Sequence, residues 1–432
     1  MASYIITGGK TLHGVAETKT AKNSALACMC ASLLTNEPVT LKEIPRIEDV
    51  NDLEAVLKSI GVNIRWSGND MTLIAPKKIN LKEINSQTAS KIRVILLFIG
   101  ALANRLKNFS LPRAGGCKLG KRTITPHLFG LEKLGMKISC DPTAYKIKKP
   151  HGLHGTKIVM YESGDTSTEN VIMAAVLARG RTVIKLASAN YMVQDLCYLL
   201  NAMGAKISNI GLTTLIIDGV EKLHGALHYI VPDPIESMFW ISLAATTNSS
   251  LLIKGCPEEF LELELLKLEK MGFKYSVVKK YKSKSGFFNL VDIKTRPSKL
   301  IALDDKIDAR PFPGLNIDNL PFFVPIASQA KGTTMIHDWC YENRSIYYME
   351  FQKLGAMVRL ADPHRVFIEG PTQLKANQVM SPPALRPATI LVIGMLAATG
   401  KSTLYNTYSI DRGYENLYGR LKKLGADIKE VK

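Results

Sequence analysis

The sequence has few cysteines and no regular cysteine spacing. Its seven cysteines in 432 residues are an odd number and form no CxxC pair, which argues against a secreted disulfide framework and favours reduced thiols in a cytosolic setting. Cys28 and Cys30 lie in the apolar run 25–34 and predict a helix core rather than a metal site. The eight histidines are scattered along the chain, so no zinc site is expected.

Long hydrophobic runs and nucleotide-binding glycine loops are also missing. The longest apolar stretches, such as 388–398, run about eleven residues, whereas a helix that spans a bilayer needs roughly 20. The segment 1–14 lacks a basic region followed by an apolar one, so no signal peptide is predicted. The sequence contains no P-loop and no well-placed GxGxxG motif. These absences predict a soluble cytoplasmic protein that has no membrane partner and binds no nucleotide through a P-loop or a Rossmann turn.

Acidic residues are scarce relative to basic ones. The 56 lysines and arginines exceed the 38 aspartates and glutamates, for a net charge of +18. A positive field of this size favours anionic partners such as phosphates, nucleotides, nucleic acid or an acidic membrane surface, and does not by itself choose among them. The basic stretch nearest to a base-stacking pattern, 279–284, is interpreted as a solvated hairpin, so no nucleic-acid partner is expected.

One short phrase recurs along the whole chain. A helix-like segment that ends in glycine and precedes a strand-like segment occurs six times, with the glycines at Gly61, Gly135, Gly204, Gly272, Gly355 and Gly425. Their separations of 74, 69, 68, 83 and 70 residues define repeats of about 70 residues. Each repeat is predicted to contain an amphipathic helix, a glycine in the left-handed position after the helix, and a strand.

A second set of segments, one in each repeat, predicts buried helices. Stretches such as 94–103 and 388–398 are hydrophobic on nearly all sides, which is typical of helices enclosed by other elements. A linear solenoid of six repeats would carry polar caps at both ends, and none is evident in the sequence. The sequence therefore predicts an α/β (α+β) protein in which sheets surround buried helices. At roughly 100–200 residues per domain, its length allows two or three domains.

Several short stretches break the repeat and carry charge or a reactive group. Lys22 stands just ahead of an apolar helix, where a cation is unfavourable unless an anion binds there. Cys117 lies in the Gly-rich loop 113–122 among lysines and arginines, which predicts an exposed, reactive thiol. Asp318 ends the Pro-rich loop 311–318. Arginines, which match phosphate and carboxylate groups bidentately, mark the remaining stretches at Arg344, Arg386 and Arg412.

Taken together, these stretches resemble the enolpyruvyl transferases. The resemblance rests on KTAKNSAL (19–26), GGCKLGKR (115–122), PFPGLNID (311–318), YENR (341–344) and IDRGYE (410–415), in that order along the chain. It implies a two-domain inside-out α/β barrel, each domain a pseudo-three-fold set of βαβαββ units. The first domain would comprise 22–231, with Lys22 and a lid loop around Cys117. The second would comprise 1–21 plus 232–432, with Asp318 and the three arginines of the preceding paragraph.

The resemblance also implies a reaction and a set of site residues. Members of the family transfer the enolpyruvyl group of phosphoenolpyruvate to a hydroxyl and release phosphate through a tetrahedral intermediate. Asp318 would be the base at the acceptor hydroxyl, and Cys117 the acid at the vinyl carbon and the target of fosfomycin. Lys22, also catalytic, would bind phosphoenolpyruvate together with Arg122 and Arg412. Further substrate contacts would come from Asn23, Arg93, Arg344 and Arg386. No cofactor and no metal are implied.

The acceptor that the resemblance implies is UDP-N-acetylglucosamine, in the first committed step of peptidoglycan synthesis. The segments for its nucleotide half depart from the family pattern at 164–168, which gains Asp165, and at 123–127. In addition, Asp233 precedes a proline instead of an arginine, and Ala384 replaces an aspartate. Two alternatives stay open: a related transferase with another nucleotide acceptor, such as UMP in nucleoside-antibiotic synthesis, and a catalytically inactive binding protein. A monomer is expected.

Overall fold

The order of helices and strands follows the six repeats. The computed structural model describes residues 2–115 and 123–431. Its α-helices are α1 (Lys22–Ala31), α2 (Glu48–Ser59), α3 (Ser86–Ala89), α4 (Leu97–Ala103), α5 (Thr125–Lys133), α6 (Asp165–Ala175), α7 (Tyr191–Ala202), α8 (Pro234–Thr246), α9 (Glu262–Lys270), α10 (Phe323–Gln329), α11 (Leu385–Ala397), α12 (Tyr408–Asp411) and α13 (Leu417–Lys423). Short 3-10 helices cover Ser32–Leu34, Leu81–Glu83, Arg93–Leu96, Glu258–Phe260, Leu320–Phe322 and Ser345–Leu354.

The strands alternate with these helices along the chain. They are β1 (Ser3–Gly8), β2 (His13–Glu17), β3 (Val39–Lys42), β4 (Asn63–Ser67), β5 (Asp70–Ile74), β6 (Asn108–Pro112), β7 (Lys137–Cys140), β8 (Ala144–Lys148), β9 (Lys157–Val159), β10 (Arg181–Lys185), β11 (Lys206–Ser208), β12 (Thr214–Asp218), β13 (Ala226–Tyr229), β14 (Ser250–Pro257), β15 (Lys274–Lys282), β16 (Asn289–Arg296), β17 (Ile307–Asp308), β18 (Gly332–His337), β19 (Met357–Asp362), β20 (Arg365–Gly370), β21 (Gln378–Met380), β22 (Gly400–Tyr405) and β23 (Asp427–Val431).

The six glycines of the repeat all adopt the left-handed backbone conformation. Their φ angles lie between +83° and +105°, a region in which residues with a Cβ atom are strained. The predicted role of these glycines after a helix is confirmed. The fifth repeat differs, because the segment before Gly355 is a 3-10 helix instead of an α-helix. That segment contains one isoleucine and three aromatic residues, which have lower helix propensity.

Residues 20–115 and 123–231 form one compact unit. Its sheets have the strand orders β13-β3-β5-β4, β6-β8-β7 and β11-β12-β10-β9. The pairs β13 with β3 and β9 with β10 are parallel, and the remaining pairs are antiparallel. Helices α1, α4 and α6 pack against one another, and almost all of their residues are buried. The predicted buried helices are therefore present in this unit.

Residues 2–19 and 232–431 form the second compact unit. Its sheets have the strand orders β21-β22-β1-β23, β15-β16-β14-β2 and β17-β18-β20-β19. Each contains one parallel pair, which is β21 with β22, β2 with β14, or β17 with β18. Helices α8, α10 and α11 pack against one another and are almost entirely buried. Each unit thus repeats one pattern three times: strands on the outside and an apolar helix in the interior.

Within the described ranges, no helix is long and apolar enough to cross a membrane. The two free thiols that the sequence assigned to a helix core, Cys28 and Cys30, lie in α1 and are fully buried. That prediction is confirmed.

The repeat glycines predict a difference in stability between two alanine variants. Gly272 and Gly355 have φ angles of +83° and +84°, so alanine at either position costs ~1–2 kcal/mol of backbone strain. A Cβ atom at Gly272 would lie 2.9 Å from the Lys299 carbonyl oxygen, whereas at Gly355 the nearest atom, the Gln373 carbonyl oxygen, is 4.0 Å away. We expect Gly272→Ala to lower the free energy of unfolding by at least ~1 kcal/mol more than Gly355→Ala. Thermal melting of both variants checks this, and equal losses would contradict it.

Candidate active site

Lys22 and Asn23 are the first two residues of the buried helix α1. The residue before the helix, Ala21, provides no side-chain cap, and the first turn contains no acidic residue. Nζ of Lys22 lies 3.0 Å from Oδ2 of Asp49 in the first turn of α2. Both side chains are mostly buried, with 16% and 8% of their surface exposed. Lys22 is therefore held in place by a carboxylate that the sequence analysis did not single out, since an acidic residue at a helix start is common for reasons of helix stability alone.

Arg93 lies beside the segment that follows the Gly-rich loop. Its Nη2 atom donates a hydrogen bond of 3.1 Å to the Thr123 carbonyl oxygen, and it begins the 3-10 turn that leads into α4. Two predicted site residues, Cys117 and Arg122, lie outside the described residues.

The segment 164–168 forms the start of α6, and Asp165 is the first residue of that helix. The Asp165 carboxylate accepts hydrogen bonds from Oγ of Ser188 (2.5 Å) and Nδ2 of Asn190 (3.2 Å). A carboxylate here is favourable for the helix, because negative charge in the first turn interacts well with the helix dipole. It also means that the first turn of α6 already carries the negative charge that a bound phosphate would otherwise supply.

The loop that contains Asp318 is fixed by hydrogen bonds to a buried glutamate, Glu264. Oε1 of Glu264 accepts hydrogen bonds from the backbone N–H of Asn316 (3.0 Å) and from Nδ2 of Asn319 (2.8 Å). Burial raises the pKa of the Glu264 carboxyl above its ordinary value. The Asp318 side chain itself remains 28% exposed. Glu264 was missed by the sequence analysis, since it lies in another helix more than fifty residues earlier.

Two arginines approach the Asp318 carboxylate without forming tight hydrogen bonds to it. Nη1 of Arg344 lies 3.6 Å from Oδ1, and Nη2 of Arg386 lies 3.8 Å from Oδ2. The structure therefore brings together three residues that the sequence predicted to share a site. A partly exposed carboxylate with free lone pairs between two cations can accept a hydrogen bond from a hydroxyl group, or take its proton.

Arg344 is fixed by a second carboxylate, that of Asp338. Both groups are essentially fully buried, and they form a two-pronged pair in which Nη2 of Arg344 lies 2.9 Å from Oδ1 of Asp338. Arg344 also donates to the Ile317 carbonyl oxygen at 2.7 Å, and the hydroxyl of Tyr348 donates to Asp338. Buried arginine needs such pairing, because an unpaired buried charge is costly. Asp338 was also missed by the sequence analysis, which had no means of telling it from a surface aspartate.

Arg386 lies in the first turn of α11, next to two further ionisable groups. Its Nη1 atom is 3.1 Å from the hydroxyl of Tyr414. Asp233 caps the start of α8, where it accepts a hydrogen bond of 2.8 Å from the Ile235 N–H. Burial raises the pKa of Asp233 to about 6, Glu236 and Asp318 add to the rise, and Arg386 opposes it. Ala384, the departure noted in the sequence, is buried just before α11.

Arg412 directly follows α12 and is partly buried. Its backbone N–H bonds to the Tyr408 carbonyl oxygen at 3.3 Å. Of the predicted residues, Asp318, Arg344, Arg386 and Arg412 thus lie in the unit 2–19 and 232–431, and Lys22, Asn23 and Arg93 in the other. Lys22 begins the buried helix α1, and Arg386 lies in the first turn of the buried helix α11.

The arrangement in each unit, three outer sheets around three buried helices, occurs in a known family. The family described as EPSP synthase (3-phosphoshikimate 1-carboxyvinyltransferase) matches residues 6–421. The chain therefore belongs to the EPSP synthase family, and it is an enolpyruvyl (carboxyvinyl) transferase by class. The resemblance stated from the sequence motifs is confirmed at this level.

Curated relatives narrow the comparison. A UDP-N-acetylglucosamine 1-carboxyvinyltransferase from Treponema denticola is 36% identical over 431 residues, which cover 99% of this chain and 99% of the relative. One with the same description from Borreliella burgdorferi is 36% identical over 439 residues, covering 100% of both. The similarity therefore extends over the full length of these relatives.

Solved structures agree in fold. The enolpyruvyl transferase NikO from Streptomyces tendae matches with a TM-score of 0.86 and 22% identity over 100% of this chain and 99% of that one. EPSP synthase from Acinetobacter baumannii matches with a TM-score of 0.79 and 16% identity over 100% of both chains. These likenesses confirm the predicted two-domain inside-out α/β fold.

The raised pKa of Asp233 predicts a change of stability with pH. Because the folded-state pKa is about 6 against 3.8 for the ordinary carboxyl, this group's contribution to stability is fully present below pH ~4 and is lost as the pH rises through 6. Asn caps a helix as well as Asp does. We expect Asp233→Asn to gain ~3 kcal/mol of unfolding free energy relative to the natural protein between pH 4 and pH 8. Denaturant melts at several pH values measure this difference.

The control is Asp362→Asn in the same unit. A hydrogen bond from the backbone N–H of His364 and one from the Arg365 side chain lower the pKa of Asp362. The contribution of Asp362 to stability is therefore present at neutral pH and is lost as the pH falls. The stabilities of the two variants relative to the natural protein should therefore change in opposite directions with pH. The change in the control should be small, because the Asp362 side chain is partly exposed to solvent. A flat profile for Asp233→Asn would show that its carboxyl is not perturbed.

Proposed function

We propose that the protein transfers the enolpyruvyl group of phosphoenolpyruvate to a hydroxyl of UDP-N-acetylglucosamine and releases phosphate, as the first committed step of peptidoglycan synthesis. The observation that carries the proposal is the 36% identity to UDP-N-acetylglucosamine 1-carboxyvinyltransferases over essentially the whole chain. The presence of the residues that the chemistry needs supports it: Asp318 lies in the loop 311–318, Lys22 begins α1, and Arg386 lies in the first turn of α11.

Asp318 is the proposed base at the acceptor hydroxyl. Its carboxylate is partly exposed, its loop is fixed through Glu264, and the arginines on either side stand 3.6 Å and 3.8 Å away. That spacing leaves its lone pairs available to a hydroxyl group. The rigid loop satisfies the need for a base that is already oriented when the substrate arrives.

Lys22 and the arginines are the proposed anion-binding groups. Phosphoenolpyruvate carries a phosphate and a carboxylate, and both require cations arranged in advance of binding. Lys22 and Asn23 lie in a first turn of α1 that has no acidic residue and no capping side chain, and the N-terminus of a helix favours an anion. Arg93, Arg122, Arg344, Arg386 and Arg412 complete the proposed set.

The proposed reaction has two stages. In the addition, Asp318 takes the proton of the acceptor hydroxyl, the oxygen bonds to C2 of phosphoenolpyruvate, and Cys117 gives a proton to C3, which becomes a methyl group. In the elimination, the Cys117 thiolate takes a proton back from the methyl group, and the C–O bond to phosphate breaks with its electron pair leaving on phosphate, which accepts the proton held by Asp318. The double bond is thereby restored in the product. Cys117 assists the departure of phosphate, and closure of the loop around it would exclude water.

The proposal also covers the domain boundaries, the oligomeric state, the location and the partners of the protein. The two enolpyruvyl transferase domains are 22–231 and 1–21 plus 232–432, and the protein acts as a monomer in the cytoplasm. Its partners are phosphoenolpyruvate and the nucleotide sugar, without nucleic acid or membrane.

A second candidate acceptor is a different nucleotide, such as UMP, and one observation favours it. Asp165 places a carboxylate in the first turn of α6, where Ser188 and Asn190 hold it. If the diphosphate of the acceptor approached this helix start, it would meet like charge at short range, which is unfavourable. The two candidate acceptors therefore differ in the phosphate group that would face the Asp165 carboxylate at the start of α6.

Replacement of Asp318 tests the proposed base. We expect Asp318→Asn to lower kcat by roughly 10²–10⁴-fold, the usual worth of a general base, with the affinity for phosphoenolpyruvate within a few-fold of the natural protein. Turnover and titration calorimetry measure the two quantities. Asp308→Asn is the matched control, because Asp308 pairs with Lys306 and Arg310 instead. A near-normal rate for Asp318→Asn would show that another group is the base.

An acceptor screen tests the proposed function itself. Phosphate release from phosphoenolpyruvate would be measured with UDP-N-acetylglucosamine, UMP and other nucleotides, with Asp318→Asn as the background. We expect release with UDP-N-acetylglucosamine, and a lower KM for it in Asp165→Asn if the diphosphate lies against α6. Release with UMP alone would establish the second candidate. No release with any acceptor would favour a binding protein that has lost its activity.

A further inference from the structure

Asp195 is a fully buried carboxylate that accepts three hydrogen bonds at the start of α1. It lies in α7 and is 0% exposed. Its Oδ2 atom accepts from Oγ of Ser24 and, at 3.2 Å, from the backbone N–H of Val231. Its Oδ1 atom lies 2.7 Å from Nε2 of His228, which is also buried. A buried carboxylate is tolerated when it is satisfied in this way.

These contacts form a closed ring around the first turn of α1. The Val231 carbonyl oxygen accepts a hydrogen bond of 2.8 Å from the N–H of Ala21, and Ala21 is the residue just before α1. The chain of contacts runs from Asp195 to Val231, to Ala21, and back to Asp195 through Ser24. The start of α1 lacks a capping side chain of its own, and this ring fixes it in addition to the pair between Lys22 and Asp49.

His228 sets the orientation of the Asp195 carboxylate. It lies in β13, where it is paired with Leu41 of the neighbouring strand β3. Because His228 occupies Oδ1, Oδ2 is the atom directed at Ser24 and Val231. The sheet that contains β13 therefore fixes the Asp195 carboxylate through His228, and the Asp195 carboxylate fixes the start of α1 through Ser24.

A metal site is the other reading of this cluster, and the chemistry argues against it. The ligand atoms of Cys28, Asp195 and His228 lie within 4.8 Å of one another. Burial raises the pKa of the Cys28 thiol well above its ordinary value, and the nearby Asp195 and Glu169 carboxylates raise it further. Metals bind the thiolate and not the thiol. Both oxygens of Asp195 also already accept hydrogen bonds, so the cluster is better described as a hydrogen-bond network.

We propose that Asp195, oriented by His228, is a positioning residue for Lys22 and Asn23, the two residues that immediately precede Ser24. The proposal rests on the proposed function, in which these two side chains contact phosphoenolpyruvate and the acceptor. Neither Asp195 nor His228 is exposed, so neither touches substrate. Their effect is to keep the first turn of α1 in one arrangement before substrate binds, which is what a preorganised site requires.

The test removes the hydrogen bond between Asp195 and α1 by a substitution that changes as few atoms as possible. Ser24→Ala removes one hydroxyl and leaves Asp195 with two donors. We expect faster amide hydrogen exchange in the peptide 18–27, and about a tenfold fall in kcat/KM for phosphoenolpyruvate. The exchange measurement needs no substrate, so it reports on the positioning even if the proposed reaction is wrong. Asp195→Asn should produce the same changes more strongly if it folds, and Ser24→Ala decides the matter if it does not.

Asn201→Ala is the matched control, since Asn201 lies on the same helix, α7. Among the described residues, its side chain bonds to the backbone of Ile207, with both contacts at 2.9 Å. We expect this variant to lose stability while exchange in 18–27 and kcat/KM stay unchanged. Unchanged exchange and kinetics in Ser24→Ala would overturn the proposal, as would equal changes in Asn201→Ala, because a loss of general stability would then explain both.

Discussion

The structure depends on one constraint: in each unit, three apolar helices are enclosed on all sides by their neighbours and by sheets. An enclosed helix has no exposed face, so only its ends can reach a ligand. Four of the residues of interest follow this rule. Lys22 begins α1, Asp165 begins α6, Asp233 caps α8 and Arg386 lies in the first turn of α11. Backbone N–H groups at these ends add their own positive potential to that of the side chains.

A charged side chain that is buried in this fold needs a partner of opposite charge, and the partner lies in direct contact with it. Lys22 is paired with Asp49, and Arg344 with Asp338. Such pairs contribute little net stability after desolvation, but removal of one partner is costly. Asp318 differs from these pairs, because its two arginines stand farther away than hydrogen-bond distance. The carboxylate with the loosest partners is also the one to which chemistry is assigned.

Much of the fold could be predicted from the sequence, because the patterns that determine it lie within short segments of the chain. A glycine after an amphipathic helix and a run of apolar residues are patterns within about ten residues, and both were interpreted correctly. The 3-10 helix before Gly355 was not, since its sequence keeps the same helical pattern as the other repeats. In the candidate site, the residues that carry motifs could be named, but their partners could not. Lys22 and Asp49 are 27 residues apart, and Ser24 and Asp195 are 171 apart, so only the tertiary fold relates them.

The path of the chain has a consequence for how the protein is made. The first strand, β1, lies between β22 and β23, which are formed by residues 400–405 and 427–431. The unit made of 20–115 and 123–231, by contrast, draws all its strands from one continuous stretch. During synthesis on the ribosome, that inserted unit can complete its sheets while β1 still lacks both neighbours. Strand β1 therefore remains without its two neighbours until residues 400–431 have emerged.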